Sequence, residues 1–295
     1  MKHTSFGKCI ITGEHGVVYG QPALVASLDK ELTVSLFVQK PELEEVIKRT
    51  KYEQHIFDLF SERFFVDVTQ LAIQVESQIP QNSGLGSSAA FAHALLQALA
   101  DFFSIKISQE EMYELVFKSE VFMHKNPSGI DPCAVVYGGV HAFKKNLQTG
   151  TFEKHKLNFA KKYEFLLINS GAASETTGEM VAAVAGLLKK KPETMSVIKN
   201  IGKLSEKIQE QLTTGTFYGN LFDENQKELE KLQVVGKTAR IMLEKIKKTG
   251  SHAKITGAGG VKTGSGWLLV YNEKLEEIER VCKQDSWENF RFAVQ

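Results

Sequence analysis

The chain has 295 residues, and 36 Lys and Arg against 35 Asp and Glu leave a net charge of +1. Without a basic excess, neither nucleic acid nor an anionic membrane is an expected partner, and no apolar run is long enough to span a bilayer. Three widely spaced cysteines fit neither a disulfide framework nor a zinc site. No signal pattern precedes the first strand, so we expect a cytoplasmic protein.

Apolar periodicity predicts a mixture of strands and helices in the first half of the chain. The expected strands are residues 6–12, 32–38, 71–79 and 135–143, and the expected helices are 43–64, 87–103 and 109–123. The last of these strands is interrupted by Gly138 and Gly139.

The second half begins with two predicted strands, 152–157 and 163–168, followed by a mostly helical stretch over 174–248. Breaks in that stretch are expected near 191–192, 213–219 and 236, and strands 253–256 and 266–271 and a helix over 273–283 follow. The pattern is α+β. A new sheet pattern starts at Tyr163, so we predict an N-terminal domain over 1–160 and a C-terminal domain over 161–295.

A Gly/Ser-rich loop separates strand 71–79 from helix 87–103, reading Pro-Gln-Asn-Ser-Gly-Leu-Gly-Ser-Ser-Ala-Ala from Pro80 to Ala90. Its glycines let the backbone approach a ligand closely. Ser87 and Ser88 can cap the helix, whose free N–H groups and positive dipole end attract anions. The loop therefore predicts a phosphate-binding site, with an ordinary capped helix after a turn as the alternative.

Three further motifs accompany this loop. They are Gly-Glu-His-Gly-Val-Val-Tyr-Gly from Gly13, Asn-Pro-Ser-Gly-Ile-Asp from Asn126 and Lys-Ile-Thr-Gly-Ala-Gly-Gly from Lys254. In this order the four motifs resemble those of the GHMP small-molecule kinases, and the resemblance extends from about Lys8 to Tyr271. It implies a two-domain α+β fold, an active site in the cleft between the domains, and phosphoryl transfer from ATP to an alcohol.

The resemblance also implies roles for single residues. Gly84, Leu85, Gly86, Ser87 and Ser88 would bind the phosphates of ATP, and Ser88 with Glu120 would hold Mg²⁺, which prefers few carboxylates plus phosphate oxygens and water. Asp131 would orient or deprotonate the attacking hydroxyl, and Lys8 would stabilise charge beside it. Taken singly, Asp131 could equally be a turn aspartate, Lys8 a surface lysine and Glu120 a solvated glutamate.

The acceptor is expected to contact Glu14, His15, Gly257, Ala258 and Gly259, with a hydrogen-bonded structural histidine as the alternative for His15. The stretch from Val261 to Gly266 departs from the usual family pattern and adds a cation, Lys262.

The sequence thus predicts an ATP-dependent kinase of a small hydroxy acid. The alternatives are a family member acting on a phosphorylated acid or a sugar, and a ligand-binding relative without catalysis. The second is disfavoured because Lys8, Ser88, Glu120 and Asp131 are all present. The sequence does not determine the oligomeric state, and a homodimer is one alternative.

Overall fold

The computed structural model describes residues 1–39, 48–80, 83–124 and 127–295. Within these residues the chain forms two compact units that are interleaved in sequence. The first unit comprises Met1–Gly7, Asp29–Gln81 and Gly86–Gly138, and the second comprises Lys8–Leu28, Asn82–Leu85 and Gly139–Gln295.

The first unit combines a short antiparallel strand pair with four helices. Strand β3 (Leu71–Ser77) pairs with the second half of strand β2 (Ala23–Val38), from Leu32 opposite Ser77 to Val38 opposite Leu71. The helices that pack on one another are α1 (Lys51–Phe64), α2 (Ser87–Phe102), α3 (Gln109–His124) and α4 (Ile130–Tyr137).

Local sequence explains the two helices of this unit that carry most of the site. Helix α1 begins with a capping box, in which Thr50 accepts from the backbone of Glu53 and the Glu53 carboxylate accepts from the backbone of Thr50. Helix α2 is rich in Ala and Leu, which have high helix propensity. Its Leu95, Leu96 and Leu99 are fully buried, so α2 is the central helix of the core.

The second unit contains two groups of antiparallel strands. In one, β4 (Val140–Lys145) pairs with β5 (Phe152–Leu157) and with the first half of β2, where Ala23 lies opposite Phe143. Strand β1 (Lys2–Thr12) is the other neighbour of β2.

The other group has the order β7-β8-β6-β9, formed by β6 (Tyr163–Asn169), β7 (His252–Ile255), β8 (Trp267–Tyr271) and β9 (Asn289–Val294). The helices of this unit are α5 (Thr177–Lys190), α6 (Met195–Thr214), α7 (Asn220–Lys231), α8 (Lys237–Lys248) and α9 (Glu276–Gln284). Leu166, Ile168, Ile255, Leu268 and Val270 are buried in its core.

The predicted mixture of helices and strands is confirmed, as are the three breaks between residues 174 and 248. Some predicted bounds are wrong: strand β1 begins at Lys2 rather than 6, β2 begins at Ala23 rather than 32, and α1 begins at Lys51 after its Thr50 cap. Strand β9 was missed, because it has no counterpart among the predicted elements. Residues 43–47 of the predicted helix 43–64 lie outside the described residues.

The strand predicted over 135–143 is half wrong, because residues up to Tyr137 belong to helix α4 and the strand begins at Val140. Val135 and Val136 favour strands on propensity alone, since β-branched side chains lose rotamer freedom in helices. Pro132 lies in the first turn of α4, where proline is tolerated. Burial of this short helix overrides the propensity of its valines.

The predicted domain boundary near residue 160 assigns β4 and β5 to the first domain, whereas both strands belong to the second compact unit. The two units are groups of packed residues, and the predicted division at 160 stays a prediction. Among the described helices, none combines the length and the apolar character that a bilayer span requires.

Candidate functional site

The predicted phosphate loop ends in an uncapped helix. Gly86 is the N-cap of α2 in a left-handed conformation, with φ at 78°, and this N-cap makes no side-chain hydrogen bond within the described residues. Ser87 and Ser88 are the first two helical residues, so the prediction that they cap α2 is wrong. Gln81 and Asn82 of this loop lie outside the described residues. The uncapped first turn leaves its N–H groups ready for an anion, as a phosphate site needs.

Gly84 adds room beside this helix start. Its φ is 73°, and a Cβ placed there would meet no atom of the described chain within 4 Å. The loop is anchored by Leu85, which is buried and accepts a hydrogen bond from the backbone N of Lys8 at 2.8 Å. A fixed loop with open space next to it is what close approach of a phosphate requires.

Ser88 and Glu120 come together through a residue that the sequence analysis did not identify. The hydroxyl of Tyr52, on the first turn of α1, lies 3.2 Å from the backbone O of Ser88 and 3.3 Å from Oε1 of Glu120. Glu120 is buried on α3, and its Oε2 lies 3.6 Å from Nε2 of His124. The predicted metal ligands therefore belong to one cluster of the first unit.

Burial, followed by the negative charge of Glu120, raises the pKa of Tyr52. The phenol therefore stays a neutral donor at any physiological pH, and it orients the carboxylate without cancelling its charge. In the sequence Tyr52 is an ordinary aromatic residue of an amphipathic helix. Its contacts become visible only when α1 is seen packed on α2 and α3.

A Mg²⁺ ion fits this cluster by the chemistry of its oxygens. One buried carboxylate and one hydroxyl at a helix start leave most coordination positions to phosphate oxygens and water, as Mg²⁺ prefers. The free N–H groups of α2 point to where those phosphates would lie.

Asp131 lies in a helix rather than in the turn that the sequence suggests. It is in the first turn of α4, after Gly129, whose φ is 83° and whose O accepts from the hydroxyl of Tyr113 at 3.3 Å. The residue is half-buried. The first turn is where a helix dipole is positive and favours an acidic side chain, and Asn126 of the same motif lies outside the described residues.

Lys8 belongs to the second unit, on strand β1, and is 3% exposed. The alternative of a surface lysine ahead of a strand is therefore wrong. A pairing of Lys8 with Asp131 stays a prediction.

Glu14 is enclosed in the second unit. The ammonium of Lys254 donates to Glu14 Oε1 and, at 2.9 Å, to the backbone O of Ile255. Both charged side chains are 0% exposed. Burial raises the pKa of Glu14, and the charge of Lys254 opposes that rise. Direct contact between this carboxylate and a substrate would require the pair to open.

His15 lies next to the glycine loop that the sequence associates with it. Its φ is 59°, and its Nε2 lies 3.0 Å from the backbone O of Ala258. A carbonyl can only accept, so Nε2 carries the hydrogen and Nδ1 is an acceptor. Burial lowers the pKa of His15 to about 4, and the bond to Ala258 opposes this. The side chain is therefore neutral at pH 7.

The loop of Gly257, Ala258 and Gly259 approaches the phosphate loop. A Cβ on Gly257 would lie 3.9 Å from the backbone O of Gly84, and a Cβ on Gly259 would clash with the backbone O of Val234 at 2.1 Å. Gly259 is therefore required by close packing. Lys262, on the atypical stretch after this loop, is exposed, and its backbone N donates to Glu175 at 3.1 Å.

Lys254 begins the last of the four motifs, but the sequence analysis did not identify it as a functional residue. A signal was available, because a lysine between Ala253 and Ile255 interrupts a short apolar strand. A charged residue at such a position requires a buried partner.

The chain is similar to known proteins in sequence and in fold. The model of the GHMP kinases N terminal domain matches residues 47–139. The mevalonate kinase of Archaeoglobus fulgidus is 30% identical over an alignment of 262 residues that covers 86% of this chain and 87% of that protein.

Solved structures share the fold over the whole chain. The L. major mevalonate kinase, in complex with R-mevalonate, has a TM-score of 0.84 at 20% identity and covers 100% of this chain and 96% of its own. The Methanococcus jannaschii mevalonate kinase has a TM-score of 0.81 at 21% identity, with coverage of 100% and 98%. From its domain match, its relatives and its fold, this chain belongs to the GHMP kinase family.

Proposed function

We propose that the protein transfers the γ-phosphoryl group of ATP to the primary hydroxyl of mevalonate. The observation that carries the proposal is the cluster at the start of α2. There, uncapped N–H groups, Ser88 and the buried carboxylate of Glu120 lie together. The choice of mevalonate is supported by relatives that are named mevalonate kinase and match most of the chain.

In this proposal each residue of the first unit has a separate task. The loop of Gly84 to Ser88 binds the phosphates through backbone N–H groups. Glu120 and Ser88 hold Mg²⁺, which when bound neutralises charge on the β- and γ-phosphates. Asp131 accepts the proton of the acceptor hydroxyl as its oxygen bonds to the γ-phosphorus and the bond to the β-phosphate oxygen breaks, leaving ADP.

In this proposal the second unit supplies the groups that bind the alcohol substrate. His15 offers a neutral imidazole with Nδ1 as an acceptor, suited to a hydroxyl of the substrate. Lys8, on β1, stabilises charge on the attacking oxygen. Glu14 supports His15 through the Lys254 pair instead of contacting the substrate.

The test is release of ADP over a panel of mevalonate, phosphomevalonate, galactose and homoserine. We expect mevalonate to have the highest kcat/KM and His15→Leu to damage mevalonate use more than ATP affinity. Equal turnover of all four acceptors, or of none, would reject the proposal.

Phosphomevalonate is the second candidate, because the exposed Lys262 could bind a phosphate already present on the acceptor. If phosphomevalonate is the better substrate and Lys262→Ala reverses the order, the second candidate is correct. If Lys262 is an ordinary surface lysine, Lys262→Ala has the same order of preference among the four substrates as wild type.

A further inference from the structure

Three alternate residues, one within strand β7 and two after it, bond to the segment of residues 10–15. Lys254 donates to Glu14, Thr256 bonds to Ile10, and Ala258 accepts from His15. The side chains of Lys254 and Thr256 point to the same side of the chain, as alternate residues at the end of a strand do, and Ala258 contributes its backbone O after the bend at Gly257, whose φ is 85°. The segment 254–258 is thus bonded to residues 10–15 at three points.

The middle contact fixes the register of the two backbones. The hydroxyl of Thr256 lies 3.2 Å from the backbone N of Ile10, which donates to it, and 2.9 Å from the backbone O of Ile10, to which it donates. The hydroxyl of Thr256 therefore hydrogen-bonds both the backbone N–H and the backbone C=O of one residue of β1.

The contact at Lys254 is the only one of the three that joins two full charges. Each side chain is 0% exposed, and the second carboxylate oxygen of Glu14 is buried with no hydrogen-bond partner among the described residues. Removing one member of such a pair leaves an uncompensated buried charge, which is far more costly than losing a neutral hydrogen bond. The placement of Glu14, and of His15 next to it, therefore depends on Lys254.

We propose that Lys254 is a positioning residue for the acceptor side of the reaction. By neutralising Glu14 inside the second unit, it holds His15 and the loop of Gly257 to Gly259 in one fixed arrangement. This inference rests on the proposed function, since it takes His15 and that loop as acceptor-binding groups.

The alternative is that the pair stabilises the fold and nothing more. Kinetic effects would then follow stability, and any change that restores stability would restore the kinetics. A positioning role separates the two, because a neutral pair of similar shape can restore burial without restoring the charged bonds.

The experiment compares Lys254→Met with the double variant Glu14→Gln/Lys254→Met, in which neither member of this pair is charged. The matched control is Lys245→Met, which breaks the more exposed ion pair between Lys245 and Asp285 in the same unit. The three readouts are the midpoint of thermal unfolding, KM for mevalonate and for ATP, and backbone hydrogen exchange of residues 13–17 and 256–260.

We expect Lys254→Met to raise KM for mevalonate at least about tenfold, with KM for ATP within about twofold of wild type. Exchange in both segments should accelerate, whereas Lys245→Met should change none of these. The double variant should regain most of the thermal midpoint and keep the raised KM. It also serves where the single variant does not fold. Restoration of both midpoint and KM in the double variant would overturn the proposal.

Hydrogen exchange separates this inference from the proposed function. If wild type fails to phosphorylate mevalonate, the proposed function fails. Faster exchange in Lys254→Met than in Lys245→Met would still support positioning. If wild type phosphorylates mevalonate and Lys254→Met keeps wild-type exchange and KM, the positioning role alone is wrong.

Discussion

Two glutamates, one in each unit, are equally buried and differently partnered. Glu14 and Glu120 are each 1% exposed. Glu14 is neutralised by the ammonium of Lys254, while Glu120 accepts from the neutral hydroxyl of Tyr52. The comparison teaches that burial alone does not assign a role to a carboxylate. A lysine inside the fold commits Glu14 to architecture, whereas Glu120, which accepts from a phenol and lies 3.6 Å from the imidazole of His124, is the carboxylate that the proposed function gives to a cation.

The largest effect is expected from Asp131→Asn, which keeps the side-chain shape and cannot take a proton. Because loss of a general base costs on the order of 10²–10⁴-fold in rate, kcat should fall by that amount, with ATP affinity nearly intact. Steady-state kinetics and nucleotide binding measure the two effects. A kcat within about threefold of wild type would remove Asp131 from the chemistry and leave the first unit with a purely binding role.

The two glutamates can be compared directly by the same substitution. Glu120→Gln should lower kcat by roughly 10²-fold, with partial recovery at high Mg²⁺. Glu14→Gln should instead lower the free energy of unfolding by roughly 3–5 kcal/mol, since it leaves Lys254 buried and unpaired. Urea unfolding and the dependence of kcat on Mg²⁺ concentration are measured for both variants. If Glu14→Gln lowered kcat and Glu120→Gln lowered stability, the assignment of the two glutamates would be wrong.

Ser88→Ala sharpens the same test, because residues that serve one ion have non-additive effects. The double variant Glu120→Gln/Ser88→Ala should lose less activity than the product of the single losses. Simple multiplication of the two would mean that they act independently.

A smaller effect is expected from Tyr52→Phe, which removes only the hydroxyl shared by Ser88 and Glu120. A hydrogen bond to a charged group contributes about 1.5 kcal/mol or more, so the Mg²⁺ concentration for half-maximal rate should rise at least roughly tenfold. Phe91→Leu, at a position whose ring lies tilted 5.9 Å from that of Tyr52, is the control. No change in the Mg²⁺ requirement would show that Tyr52 does not orient Glu120.

The last effect concerns pH and the second unit, and it is measured as stability alone. Burial lowers the pKa of His15 from 6.5 to about 4, so the unfolded chain takes up the proton first. Stability is therefore fully present above pH 6.5 and is lost as pH falls toward 4. His15→Gln can still donate to Ala258 and cannot titrate.

The free energy of unfolding should thus differ less between pH 7.5 and 4.5 in His15→Gln, by about 2–3 kcal/mol. The exposed His155→Gln is the control. An unchanged pH dependence in His15→Gln would mean that His15 is protonated, or reached by solvent, in the folded protein.

Sequence patterns identified the elements whose signals are local. The Gly-Ser-Ser start of α2 and the Ala and Leu periodicity within it fix that helix without reference to the rest of the chain. Helix α4 was misjudged because its valines favour strands and only their packing makes them helical. Tyr52 and Lys254 were missed for a related reason. Their contacts join elements 36, 68 and 240 residues apart, and periodicity carries no information about such distances.

The fastening of residues 254–258 onto residues 10–15 has a consequence for the order of synthesis. Glu14 leaves the ribosome 240 residues before Lys254, so at typical rates of chain elongation it waits roughly 10–50 s for its partner. During that interval its carboxylate must stay in water, because burial without the lysine is too costly. The N-terminal part of β1 can pair early, but the first motif can close only when the chain is nearly made.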